Sequence, residues 1–283
     1  LSNSSRRVDW AAYWEDFSRN YLDAGYLFAE HSKNLEQEVG TPENLSKVNI
    51  PATTDHFSFV SGSIFAVNAC LNAAIDEVFR DAERLNRDPK AETILRGLSV
   101  NVVKDMATVR RAKAIELSKY SDLDQILKNT NPRPCSKTTN STCLPAYTGW
   151  YLLDKFQLAL YFSESGKPFN LGSHVWEEAE FLRSLRNYLV HYEPEWVQYT
   201  FSNGSYSARR TKTVDIMDGL RTRGFRNGLY PKDADLHEGR MAVRLGADCA
   251  AWAVRSCAEF LYSFYDALPI DDRKMWVYYR SYR

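Results

Sequence analysis

The residues best suited to chemistry concentrate in one segment, Leu182-Arg183-Ser184-Leu185-Arg186-Asn187-Tyr188-Leu189-Val190-His191-Tyr192. It sets a cation, an amide and an imidazole on the closing turns of an amphipathic helix. Cleaving RNA without a metal needs a base for the ribose 2′-hydroxyl, an acid for the leaving oxygen and a cation for the charge growing on phosphorus. Histidine as a side-chain type titrates near neutrality, and arginine offers phosphate a fixed fork of donors. Arg186, Asn187 and His191 are therefore the candidate catalytic residues, with Arg183 and Tyr192 beside them for substrate. Spacing alone decides nothing, because an Arg followed a few positions later by His arises by chance in a chain of this composition. The plain alternatives are a histidine that caps a helix C-terminus and complements its dipole, and an Arg186 ion pair with Glu180 or Glu193. Five residues separate Arg186 from His191, which is about 140° around a helix. Either the arginine sweeps round, or a second subunit contributes.

Two further groups could serve such a site. Asn68, Asn72 and Asp76 repeat at four-residue spacing as a polar stripe on an otherwise apolar helix, either lining a cleft or forming a solvated face. Arg209, Arg210, Lys212, Arg221, Arg223 and Arg226 outnumber Asp215 and Asp218, with Tyr206 and Phe225 nearby. Phosphate contacts and stacking by these residues, Arg209 and Arg210 first, would hold single-stranded RNA. A solvated loop is the competing reading. His31, His56, His174 and His237 are scattered, with no Cys or carboxylate at a zinc spacing. There is no G-x-S-x-G elbow and no Gly-rich phosphate loop, so neither metal nor cofactor is expected.

The elements that must position these residues read as helices broken by polar loops. The expected helices run from about Val8 to Gln37, from a cap at Thr53, Thr54 or Asp55 through Ala82, from about Ala91 to Leu117, and through Trp150 to Tyr161. Another starts near Ser173 and ends before Pro194 with the motif in its last turns, and a final one covers about Ala242 to Leu268. Between Glu195 and Gly239 the pattern turns β-prone, with Asn203-Gly204 as a hairpin signal. The Ser/Thr/Asn/Pro-rich stretch from Asn129 to Thr142 reads as an exposed loop.

Composition sets the frame. With 283 residues, 44% hydrophobic and 25% charged, the chain is globular rather than disordered. Lys and Arg number 36 against 36 Asp and Glu, so no global basic field draws it to nucleic acid and any polyanion contact is local. The five cysteines form no CxxC pair, Cys135 and Cys143 merely flanking a loop, and an odd number suits a reduced compartment. Leu1 to Arg7 shows no signal-peptide pattern, and no stretch reads as a bilayer span. A cytoplasmic protein without a membrane partner is expected.

The sequence "SLRNYLVHY" resembles the hallmark of the HEPN family, an Arg with a polar residue followed a few positions later by His. Upstream, "FAVNACLNAAIDEVF" is similar to the opening helix of such domains and "SKYSDLDQIL" to the segment before the motif; downstream, "GADCAAWAVRSCAEFLYSFY" is similar to the closing helix. The likeness runs from about Thr54 to Leu268, without the insert after Pro194, and only the motif is specific. It implies a mainly α fold, a HEPN-like helical bundle, here over residues 51–283; the residue pattern adds two parts that lie outside the likeness, a small hairpin-containing insert at about 195–241 and a helical extension and linker at 1–50. The likeness also implies a homodimer with two motif helices over a composite cleft, and metal-independent endoribonuclease activity of the toxin–antitoxin or antiphage kind. An antitoxin or regulatory protein is then a possible partner besides RNA. The alternative within the family is a non-catalytic module binding nucleotide, RNA or a protein. By the resemblance Arg186 steadies the phosphate, Asn187 orients the site and His191 acts as base or acid. One departure is that Glu193 stands two residues after the His, where one branch carries a modified Tyr, while Tyr192 is adjacent.

Overall fold

The computed structural model describes residues 17–39, 50–91, 93–95, 97–112, 114–116, 127, 133–134, 142–163, 167–191, 199–202, 205–208, 211–230, 241–268, 270 and 279–282. The fold is mainly helical. Helix α1 (Phe17–Val39) and the long α2 (Ile50–Arg87) are followed by α3 (Val100–Arg111) and by short strands β1 (Ala114–Glu116), β2 (Arg133–Pro134) and β3 (Thr142–Pro145). Helices α4 (Leu152–Phe162) and α5 (His174–Val190) come next, then strands β4 (Tyr199–Ser202) and β5 (Ser205–Ala208), and helices α6 (Lys212–Thr222) and α7 (Ala247–Ala267). The first three strands pair antiparallel in the order β1-β3-β2, with Ile115 opposite Leu144 and Arg133 opposite Cys143. Strands β4 and β5 pair antiparallel, Phe201 opposite Tyr206.

Helix α2 organises the core because its apolar residues occupy most of its circumference. Val60, Ile64, Val67, Leu71, Ile75, Val78 and Phe79 are all fully buried. By length and composition the stretch Ala52–Arg87 could cross a bilayer. The sequence reading expects no such stretch; 61% of its most apolar part is buried inside the protein, as in a core helix. Helix α1 lies along α2 and α7. The approach is close enough that a Cβ on Gly25 would stand 2.7 Å from Val67 Cγ1. Ser63 Oγ donates to the Gly25 carbonyl at 2.9 Å and approaches that of Ala250 at 3.4 Å, stitching the three helices together. A second layer forms where Phe156 of α4 meets Phe260 and Phe264 of α7 edge-on, at 4.9 and 4.8 Å between centroids. Such pairs are worth about 0.5–1.5 kcal/mol beyond burial.

Three expected boundaries need correction. Helix α2 begins at Ile50, so Thr53, Thr54 and Asp55 lie inside it; Pro51 is tolerated because the first-turn N–H groups have no intrahelical partner. The helix expected at Ala91–Leu117 starts only at Val100, where Ser99 accepts from the Val102 N–H at 3.5 Å, and the expected tail includes β1. The last helix begins at Ala247 rather than Ala242, because Met241–Val243 is a separate 3₁₀ turn and Gly246 is extended. A Cβ on Gly246 would fall 1.9 Å from the Arg226 carbonyl oxygen. Residues 1–16, Asn203, Gly204 and most of 113–141 lie outside the described residues, Cys135 among them. Cys70, Cys249 and Cys257 are free and buried.

Candidate functional site

Helix α5 carries the motif and is fixed at both ends. Ser173 caps it, its Oγ accepting from the Trp176 N–H at 3.4 Å. The buried face is Trp176, Ala179, Leu182, Leu185 and Tyr188, and the Tyr188 hydroxyl meets Thr213 Oγ1 on α6 at 3.2 Å. With that face committed, Arg186 and Asn187 are left half-buried beside it. An Arg186 Nη donates to Asn187 Oδ1 at 3.1 Å, which fixes the plane of the guanidinium. Among the described residues Arg186 makes no ion pair, so the pairing with Glu180 is not formed; Glu193 lies outside them. His191 is the C-cap of α5, with φ −114° and ψ 41°, and its backbone N–H donates to the Asn187 carbonyl at 3.0 Å. Its side chain is exposed.

Arg186 lines a groove of about 630 Å³ between α1, α2 and α5. Opposite it stand Asn68, Asn72 and Asp76, so the polar stripe and the motif arginine face one cavity, joined by Glu77 and Arg80. Phe17, Tyr21, Phe65 and Val190 supply the apolar part of the wall and are 48%, 40%, 38% and 45% exposed. The Asn68 and Asn72 amides donate to the carbonyls of Ile64 and Asn68 at 2.9 and 3.0 Å. Asp76 Oδ1 accepts from the Tyr147 hydroxyl at 3.0 Å, with Lys155 Nζ 3.6 Å away. Burial, reinforced by the Asp76 charge, pushes the Tyr147 hydroxyl well above the ordinary tyrosine value, so it stays a donor to Asp76. His191 is not among the residues lining the groove.

The other expected contributors divide. Arg183 is half-buried with its guanidinium 5.4 Å from the centre of the Tyr151 ring, and it does not line the groove. Tyr192, Arg209 and Arg210 lie outside the described residues. The basic segment is in part a helix, α6, and two of its cations are internally committed. Arg221 pairs with Asp218 at 3.1 Å. Arg223 is clamped: its Nε donates to Glu178 at 3.1 Å, an Nη donates to the Gly219 carbonyl at 3.1 Å, and the guanidinium lies 3.9 Å from the Phe181 ring centre. Glu178 also accepts from the Trp252 indole N–H.

A larger cavity of about 790 Å³ opens between α1 and α7, lined by Tyr26, Lys33, Glu36, Asp248, Arg255 and Tyr282 among others. Beneath it His56, fully buried, holds Nε2 2.8 Å from Glu36 Oε1, although the N–H is not aimed along that line. Glu36 in turn accepts from the Ala247 N–H at 2.8 Å. Burial raises the Asp248 carboxyl above its ordinary value, against backbone N–H bonds from Arg226 and Cys249 that lower it and with Glu36 adding repulsion. None of the motif residues lines this cavity. The smaller groove is the better candidate of the two, because it joins Arg186, which has no ion pair among the described residues, to the Asn68 and Asn72 amides and to aromatic rings. No group of three or more potential metal ligands occurs among the described residues.

No family model, curated protein or solved structure matches the chain.

Proposed function

We propose that the chain is a metal-independent endoribonuclease of the HEPN type, a toxin or antiphage effector acting in the cytoplasm. The observation that carries the reading is Arg186, held by Asn187 and facing a groove without a carboxylate partner among the described residues. A guanidinium so placed keeps its remaining donors for an anion. In the proposed reaction Arg186 holds the non-bridging phosphate oxygens while a histidine removes the 2′-hydroxyl proton. The 2′-oxygen bonds to phosphorus, the bond to the 5′-oxygen breaks, and the leaving oxygen takes a proton from the acid. The products are a 2′,3′-cyclic phosphate and a 5′-hydroxyl.

His191 stands outside the groove's lining, which fits a two-fold homodimer in which His191 of the partner subunit completes the site. Mixing Arg186→Ala with His191→Ala subunits then restores cleavage, since an intact pair survives only across the interface. The reaction itself is tested with RNA in excess chelator. Cleavage leaves cyclic phosphate ends and is blocked by a 2′-deoxy substitution at the cut site; cutting of the deoxy substrate, or a need for divalent metal, overturns the reading. The exposed position of His191 favours a second reading, a non-catalytic module that binds RNA, nucleotide or protein. That reading predicts binding by the folded protein with no cleavage at all.

A further inference from the structure

The stripe on α2 is more than a polar face. Asn72 is exposed, and its amide nitrogen donates to the Asn68 carbonyl at 3.0 Å. A carbonyl partner requires the nitrogen on that side, so the amide orientation is fixed, leaving Oδ1 and one N–H for the groove. One turn further on, Asp76 Oδ1 accepts from the Tyr147 hydroxyl with Lys155 Nζ in ion-pair range at 3.6 Å, while Oδ2 has no hydrogen-bond partner among the described residues. Lys155 offsets the carboxylate charge, which lets an acidic side chain face a polyanion. The neighbouring Glu77 is not available in the same way, because its two oxygens accept from the backbone N–H and hydroxyl of Ser18 at 3.0 and 2.7 Å.

We infer that this groove reads guanine: Asn72 and Asp76 take the Watson–Crick edge of a guanosine in the RNA strand, and Tyr21 and Phe65 pack on the base. The inference rests on the reading above, in which Arg186 holds the RNA phosphate. Four residues of helix rise by about 6 Å, comparable to a purine's Watson–Crick edge. Guanine presents two adjacent N–H donors beside its O6 acceptor. An ionised aspartate only accepts, each oxygen through two lone pairs, so Oδ2 takes one donor and the second lone pair of Oδ1 the other, while the spare Asn72 N–H reaches O6. Adenine would turn its N1 lone pair toward the carboxylate, and cytosine its N3. Uracil offers one N–H flanked by two acceptors. Tyr21 and Phe65 are 40% and 38% exposed on the same wall, the exposure that base stacking in single strands uses. Arg80 and Arg186 line the same groove, supplying cations for the flanking phosphates.

The test titrates the full chain with GMP, AMP, CMP and UMP by calorimetry, beside Asp76→Asn and Asn72→Leu. GMP is expected to bind at least tenfold more tightly than the other three, and each variant to lose most of that preference. Asn72 is exposed, so its variant still decides the matter if loosening Tyr147 unfolds Asp76→Asn. Equal affinity for the four nucleotides, or an unchanged preference in a folded Asn72→Leu, overturns the inference. Mapping cut sites in a random-sequence RNA separates this inference from the nuclease reading. Cuts at a fixed distance from guanosine support both, and cuts with no guanosine bias reject guanine reading while upholding the nuclease. Preferential GMP binding without any cleavage keeps the guanine site and rejects the nuclease.

Discussion

Two arginines near opposite ends of α5 stand in opposite situations. Arg223 reaches the start of the helix and finds every kind of partner: the Glu178 carboxylate, the Gly219 carbonyl and the faces of Phe181 and Trp252. Arg186 near the end has one amide oxygen and an open groove. The first cation is spent on holding α5, α6 and α7 together. The second is oriented and has no ion-pair partner among the described residues, and that is the condition for binding an anion: no internal pair must be broken first. Charge type does not distinguish the two; satisfaction of the charge does.

If the contrast is correct, the largest stability loss falls on the clamp. Glu178→Ala strands Arg223 and the Trp252 indole, and should cost about 3–5 kcal/mol, measured by urea unfolding; a loss under about 1 kcal/mol would mean that the clamp is ornamental. Next comes Gly219→Ala. The added Cβ would lie 2.1 Å from Phe181 Cε2, the ring beneath Arg223, and overpacking of this kind costs about 1–3 kcal/mol. His191→Ala removes an exposed C-cap side chain and should stay within about 0.5 kcal/mol of wild type, while relieving any growth arrest that overexpression causes. Equal toxicity from the folded variant would sink the nuclease assignment. The smallest effect is a pH dependence at Glu83. Burial raises its carboxyl, but Arg111 and Arg110 outweigh burial and hold it below the ordinary value. The stabilisation is therefore complete above the unfolded glutamate range and is lost as pH falls through the lowered folded value. Glu83→Gln should flatten the acid limb of a melting-temperature profile.

The legible parts of the chain were those written locally. The mainly helical fold follows from three- and four-residue apolar spacing, and α5 announces itself through Ser173 at its start and Pro194 beyond its end. The start of helix α3 is not legible, because the periodic pattern continues through 91–99, where Ile94 and Leu95 belong to a turn and Leu95 is buried all the same. Strand β1 depends on Leu144 and Pro145, far along the chain. The groove was half legible: Asn68, Asn72 and Asp76 stand out as a stripe, yet nothing local says that Arg186 faces them. Arg223 reads as a free cation for the same reason, since its fate is decided by Glu178, 45 positions earlier. Sequence patterns name the charges, and long-range packing decides which remain available.

The central claim is that Arg186 is available to an anion and acts on RNA phosphate. It is tested most directly by single-turnover cleavage of RNA in excess chelator, wild type against Arg186→Ala, with both melting curves recorded. Removing one donor to developing transition-state charge costs about 10²–10³ in rate, so a fall of that size with an unchanged melting temperature is the predicted result. Equal rates from two equally folded proteins would contradict it.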